Sequence, residues 1–246
     1  PTNIGMYLLS TVTARDFGWV GTLEMVERLE ATLATIDGLE RFRGHLYNWY
    51  DTRDLRPLEP QYVSAVDSGN LAGHLLALAN ACRLMIDQPL PIAAARAGIL
   101  DGYLLARAAS RSIGEGRSQT LTRRHLAEAL VLPSDATGVA VTTPREWVAQ
   151  LDEFAAATHT LSDVAAAITM ELGESADNEL VTWSEATRRA VGSHGRDLAL
   201  LATSVELSSF PTIAELSDLA PDPTDDRSGA AAMLVRRLSA IADRAQ

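Results

Sequence analysis

The sequence predicts an all-α protein, and three observations carry that reading. Apolar residues recur at helical spacing along nearly the whole chain, no stretch of useful length alternates with period two, and Thr, Ser, Pro and Gly fall where helices begin and end. At 246 residues and 47% hydrophobic composition the chain is large enough to bury a core. A two-strand ribbon near Leu46 and Tyr62 is the most sheet the pattern supports.

The elements follow in order. Asn3 caps a first helix with Ile4, Leu8 and Val12 on one face, ending near Gly18. Thr22 caps a second, with Leu23, Val26, Leu33 and Ile36 inward and Glu24, Glu27, Arg28 and Glu30 outward, until Gly38 stops it. An aromatic loop follows, and Pro57 and Pro60 bar helix through Leu55–Pro60. Ser68 caps a third helix through Leu71, Leu75, Leu78 and Cys82 to about Ile86, closed by Pro89. A fourth runs from Pro91 to about Ser112.

After the polar stretch Gly114–Gln119, helices are expected over Thr122–Val131, Pro144–Ala157, Leu161–Gly173 and Ser175–Glu206, with Pro133–Thr143 as a further connection. Thr143 before Pro144 is a cap followed by a first-turn proline. A short helix near Thr212–Leu219 precedes the acidic loop Pro221–Asp226, and an amphipathic helix spans Ser228–Gln246. The division read from this is 1–112, the first hairpins with the aromatic loop, and 113–246, further helices of the same module or an inserted helical subdomain.

Composition excludes several function classes. The net charge of −11 argues against nucleic acid as a partner. All 21 basic residues are Arg, so no Schiff-base lysine or phosphate-loop lysine exists. Cys82, the single cysteine, sits in an Ala/Leu-rich helical pattern and reads as a small core residue. The five histidines show no ligand spacing, so no metal site is expected, and no cofactor. The apolar stretches Leu71–Ala81 and Ile92–Ala109 are too short or too interrupted by charge for direct membrane insertion. The abrupt start at Pro1-Thr2-Asn3 reads as a piece of something longer.

The informative segments are His45-Leu46-Tyr47-Asn48-Trp49-Tyr50-Asp51 and Val66-Asp67-Ser68-Gly69-Asn70. They gather rings, amides and carboxylates in a chain that is only 5% aromatic. A pyranose offers a flat C–H face to a ring and hydroxyls to Asp and Asn, which suits Asn48, Trp49, Tyr50, Asp51, Asp67, Ser68 and Asn70 as a sugar-binding set. The same rings could instead plug the core. Asp51 and Asp67 admit three roles: an acid–base pair across a glycosidic bond, grips on sugar hydroxyls, or local caps, with Asp51 pinning the Thr52–Leu55 turn. No catalytic residue is assigned.

Pro1-Thr2-Asn3-Ile4-Gly5, Arg15-Asp16-Phe17-Gly18-Trp19, Leu29-Glu30-Ala31-Thr32-Leu33, Tyr47-Asn48-Trp49-Tyr50-Asp51 and Val66-Asp67-Ser68-Gly69-Asn70-Leu71-Ala72-Gly73 together resemble the N-terminal part of the glucoamylase-like middle region of bacterial cyclic β-1,2-glucan synthases. The match is dense over residues 1–86 and thins afterwards to Trp183, Ser193-His194, Arg196-Asp197-Leu198 and Pro211–Leu216. Ala65 departs from the Ser or Thr expected before Val66.

The resemblance implies a six-hairpin α/α toroid in a multidomain synthase, at the cytoplasmic side of a bacterial inner membrane, that closes β-1,2-glucan chains by transglycosylation. Six hairpins need about twelve helices, and the pattern yields roughly eight or nine at the usual length of about 11–12 residues. The toroid is therefore expected to be incomplete here, the chain alone inactive, and its partners the glucan and the remaining domains of the same polypeptide. On that reading Trp49 and Tyr50 lie exposed in a groove beside Asp51 and Asp67. The alternative, a noncatalytic helical scaffold that docks neighbouring domains, expects both rings buried.

Overall fold

The computed structural model describes residues 1–111, 120–131, 140–172, 179–201, 204, 206–219 and 229–246. Among them are nine helices and one two-stranded ribbon, so the all-α class holds. The expected turns at Gly114–Gln119 and Pro221–Asp226, and most of that at Pro133–Thr143, lie outside the described residues.

The chain forms two compact units, neither a single stretch of sequence. The first comprises Pro1–Arg15, Thr22–Pro89 and Pro211–Gln246; the second comprises Asp16–Gly21 and Leu90–Phe210.

In the first unit, α1 (Thr2–Asp16), α2 (Thr22–Gly38), α3 (Ala65–Ile86), α8 (Ile213–Asp218) and α9 (Gly229–Arg244) pack together, and α9 touches α2, α3 and α8. Its amphipathic pattern explains this: Ala231, Leu234, Leu238, Ile241 and Ala242 form a buried stripe at helical spacing. At the stripe's edge the Arg237 guanidinium donates two parallel bonds to the Glu30 carboxylate at 2.9 and 2.7 Å, and Arg244 donates to Asp37 at 2.6 Å. Gly5 lets α1 approach the His74 ring of α3: a Cβ there would stand 2.3 Å from Nδ1. Thr212 and Glu215 close a reciprocal capping box at the start of α8, and the Ile213 N–H donates to the Gln88 carbonyl at 3.0 Å. Cys82 is buried, and burial pushes its thiol up to about 11.

The second unit contains α4 (Ile92–Ser110), α5 (Thr120–Ala129), α6 (Pro144–Leu172) and α7 (Glu179–Leu201), with α7 packed on both α4 and α6. Its core holds Tyr103, Trp147, Phe154, Leu161 and Ile168. The turn Asp16–Gly21 is held by α7 and α4. The buried His194 Nε2 lies 2.8 Å from the Gly18 carbonyl, which can only accept, so Nε2 carries the hydrogen. The Gly21 N–H donates to Ser193 Oγ at 2.8 Å. Gly18 takes a left-handed φ of 74° and sits against the Ala94 carbonyl of α4.

Several boundaries differ from the sequence reading. Helix α1 starts at Thr2, which places Asn3 inside its first turn and not at the cap. Helix α3 is capped by Ser64, whose Oγ accepts the Asp67 N–H at 3.1 Å, so Ser68 is a first-turn residue and not the cap. The ribbon pairs β1 (Arg41–Phe42) with β2 (His45–Leu46) instead of reaching Tyr62. Helix α6 runs unbroken where two helices were expected. Thr158 and Thr160 fold their hydroxyls back onto the Phe154 and Ala156 carbonyls at 2.8 and 3.1 Å, so these residues serve the helix interior and mark no boundary. Helix α7 ends at Leu201, short of Glu206.

Two glycine substitutions should behave oppositely. A Cβ at Gly98 would lie 2.3 and 2.6 Å from the Gly18 and Phe17 carbonyl oxygens, whereas one at Gly73, on α3, meets nothing within 4 Å. Gly98→Ala is expected to destabilise the protein by about 1–3 kcal/mol through overpacking. Gly73→Ala should stabilise it by about 0.5–1 kcal/mol through helix propensity. Urea denaturation of both variants measures the contrast.

Candidate functional site

The aromatic loop lies between β2 and α3, and the backbone closes it upon itself. The Asn48 N–H donates to the Tyr62 carbonyl at 2.7 Å, Leu58 N–H to the Trp49 carbonyl at 3.0 Å, and Asp51 N–H to the Arg56 carbonyl at 2.9 Å. Tyr50 and Pro57 form an isolated bridge, and Leu55 adopts a left-handed φ of 61° to complete the turn. The loop is therefore a folded platform despite its prolines.

Within the first unit this platform and the starts of α1 and α3 enclose an open cavity of about 470 Å3. Asn48, Trp49, Tyr50, Asp51 and Asp67 all line it, joined by Thr2 and Asn3, which the sequence reading left out of the site. Ser68 and Asn70 do not line it. Ser68 Oγ instead lies 3.2 Å from His45 Nδ1, and the Asn70 amide donates to Thr2 Oγ1 at 3.3 Å.

The two rings differ in what they have left to offer. Trp49 is 53% exposed, with one face stacked on Tyr62 at 6.0 Å between centroids. Tyr50 is half-buried and its hydroxyl is spent on the fold: it accepts the Tyr47 N–H at 2.8 Å and donates to the Glu40 carbonyl at 2.7 Å. Tyr47 is core and Tyr62 is exposed. The Asn48 amide oxygen is shielded from solvent and has no hydrogen-bond partner among the described residues.

The acids are bound locally. Asp51 accepts from the Arg53 guanidinium at 3.1 and 2.7 Å and from the Arg53 N–H at 2.8 Å, which pins the turn. Those bonds hold its carboxyl below the usual range. Asp67 accepts from the Thr2 hydroxyl at 2.6 Å, and hydrogen bonds with the Ser64 and Thr2 hydroxyls lower its pKa as well. A glycosidic general acid needs a raised pKa, so neither carboxyl is tuned to deliver a proton at neutral pH. Both remain ionised acceptors suited to gripping hydroxyls.

No cluster of three metal-ligating side chains occurs among the described residues, and none of their helices is long and apolar enough to cross a membrane. The Ser193-His194 and Arg196-Asp197 strings belong to the second unit. There Ser193 and His194 secure the Asp16–Gly21 turn.

Known proteins give the arrangement a context. The chain is 38% identical over 202 residues to the cyclic beta-(1,2)-glucan synthase NdvB of Rhizobium meliloti (strain 1021). The match covers 80% of this chain but only 7% of that protein, so the resemblance read from the residues holds and concerns a small part of a much longer relative. No protein family model matches the chain.

The Thr2–Asp67 bond has a measurable acid–base consequence. In Thr2→Val the Asp67 pKa should rise toward the ordinary carboxylate value, as read by carboxyl NMR titration. Because the folded-state pKa is depressed, the carboxylate's bonds stabilise the fold above the unfolded pKa, and this contribution is lost as pH falls through the folded value. Thr2→Val should therefore lose less stability on acidification than wild type.

Proposed function

We propose, proceeding from that likeness, that this chain is part of the carbohydrate-active module of a cyclic β-1,2-glucan synthase, and that its aromatic cavity supplies binding subsites for β-1,2-linked glucan during transglycosylation and cyclisation. In this reading residues 1–112 supply the first hairpins of a glucoamylase-like α/α toroid and 113–246 further helices of the same module. The parent is a multidomain protein of the bacterial inner membrane with this module on the cytoplasmic side.

One observation carries the proposal. Five residues suited to sugar chemistry line one open cavity, and Trp49 is 53% exposed there. A glucosyl ring laid on Trp49 would offer hydroxyls to Asp51 and Asp67. Ser68 and Asn70 act behind this set, Asn70 through Thr2.

A second reading, the noncatalytic scaffold that docks neighbouring domains, draws support from the second unit. There Trp19, Leu104, Leu105 and Trp183 line an apolar groove of about 610 Å3. The exposure of Trp49 weighs against this reading for the aromatic loop itself.

Addition of linear β-1,2-glucan should change the tryptophan fluorescence of wild type in a saturable way, and Trp49→Ala should weaken binding by about tenfold or more, the loss of one stacking platform. An unresponsive wild type counts against the binding role. Separately, the chain alone should release no product from such glucans, since neither Asp51 nor Asp67 is set as a proton donor. Turnover abolished by Asp67→Asn would show that the chemistry lies here after all.

A further inference from the structure

Ser68 and His45 point to an extension of the site. Asp67 lines the aromatic cavity, while its neighbour Ser68 lines a second, open cavity of about 240 Å3 in the same unit. Asp67 and Ser68 are consecutive, so the first turn of α3 borders both cavities. Pro1 borders both cavities as well.

The smaller cavity has a different chemistry. It holds no aromatic residue other than the exposed His45, whose Nδ1 sits 3.2 Å from Ser68 Oγ, and its floor includes the apolar side chain of Leu71. Around the rim stand Asp37, Arg41 and Arg244. Arg244 donates to Asp37 at 2.6 Å, and Arg41 Nη2 lies 3.9 Å from the same carboxylate. A guanidinium carries five N–H donors, of which the Asp37 bond uses few, so the rim offers donors and acceptors side by side over an apolar floor. A ring of hydroxyls around a C–H face matches that distribution. A free anion does not, because Asp37 occupies the centre of the positive charge.

We infer that the His45–Ser68 cavity is a second glucosyl subsite, contiguous with the Trp49 cavity, so that the chain binds an oligosaccharide across the start of α3 and not a single sugar. This rests on the reading of the aromatic cavity as a glucan site. Trp49 supplies stacking to one unit, and His45, Ser68 and Arg244 hydrogen-bond the hydroxyls of the next.

Calorimetric titration of the intact chain with linear β-1,2-gluco-oligosaccharides, from the disaccharide to the hexasaccharide, tests it. In wild type the affinity should rise with length, and in His45→Ala and Ser68→Ala the ratio of hexasaccharide to disaccharide affinity should fall by about fivefold to tenfold, one or two hydrogen bonds lost. Trp49→Ala should weaken every length that binds. His45 is exposed and Ser68→Ala leaves the Ser64 cap in place, so both variants should keep the wild-type circular dichroism spectrum. A length ratio unchanged in both variants, or no gain with length in wild type, overturns the second subsite while the Trp49 site stands. Failure of every saccharide to bind wild type overturns both.

Discussion

The position at which α3 begins is the constraint on which the site depends. Ser64 caps the helix, Asp67 returns its carboxylate to hydroxyls of Ser64 and Thr2, and Asn70 reaches Thr2 from the next turn. This small knot ties the start of α1 to the start of α3 directly beside the Asn48–Tyr62 platform. A shift of one residue in the helix start would rotate the side chains by about 100°. Asp67 would then leave the aromatic cavity and Ser68 the His45 pocket.

The division of labour within the loop follows from what each group has already bonded. The Tyr50 hydroxyl and the Asp51 carboxylate look like ligand-binding groups in the sequence, yet both spend their strongest hydrogen bonds on holding the loop shut. Trp49, at 53% exposure, is the one left with free surface. The Tyr50 hydroxyl gives shape, Trp49 a stacking surface, and the Asp51 carboxylate a brace that stays an ionised acceptor. The lowered pKa of both aspartates follows from those local bonds, to Arg53 for Asp51 and to Ser64 and Thr2 for Asp67, and keeps both ionised.

Helix existence was legible because burial imposes a period on the sequence: α2 and α9 each bury a stripe that can be read directly from Leu, Ile, Val and Met spacing. Boundaries were legible only where a residue has one use. Helix α8 begins where a short helix was expected, with Thr212 and Glu215 closing its capping box. Ser68 misled, because a hydroxyl can cap a helix or sit within its first turn, and tertiary packing decides between the two. For the site, residue type pointed to the right segments but could not say which hydroxyl and carboxylate were already engaged. Thr2 and His45 were left out of the sugar-binding set: a threonine at a helix start and a histidine on a short strand acquire meaning only from the neighbours that folding brings to them. The role of Ser193 and His194 in bracing the Asp16–Gly21 turn was hidden for the same reason, since more than 170 residues separate donor from acceptor.

The interleaving of the two units has a further consequence, for the order in which the protein can be made. The first unit is complete only when α9 docks its apolar stripe on α2 and α3, and α9 emerges from the ribosome after the whole of Leu90–Phe210. Until then the inner faces of α2 and α3 have no cover, and the closing contact spans a long loop whose entropy must be spent first. Vectorial synthesis therefore favours the second unit as the earlier folder, and leaves the apolar faces of α2 and α3 waiting until α9 is made.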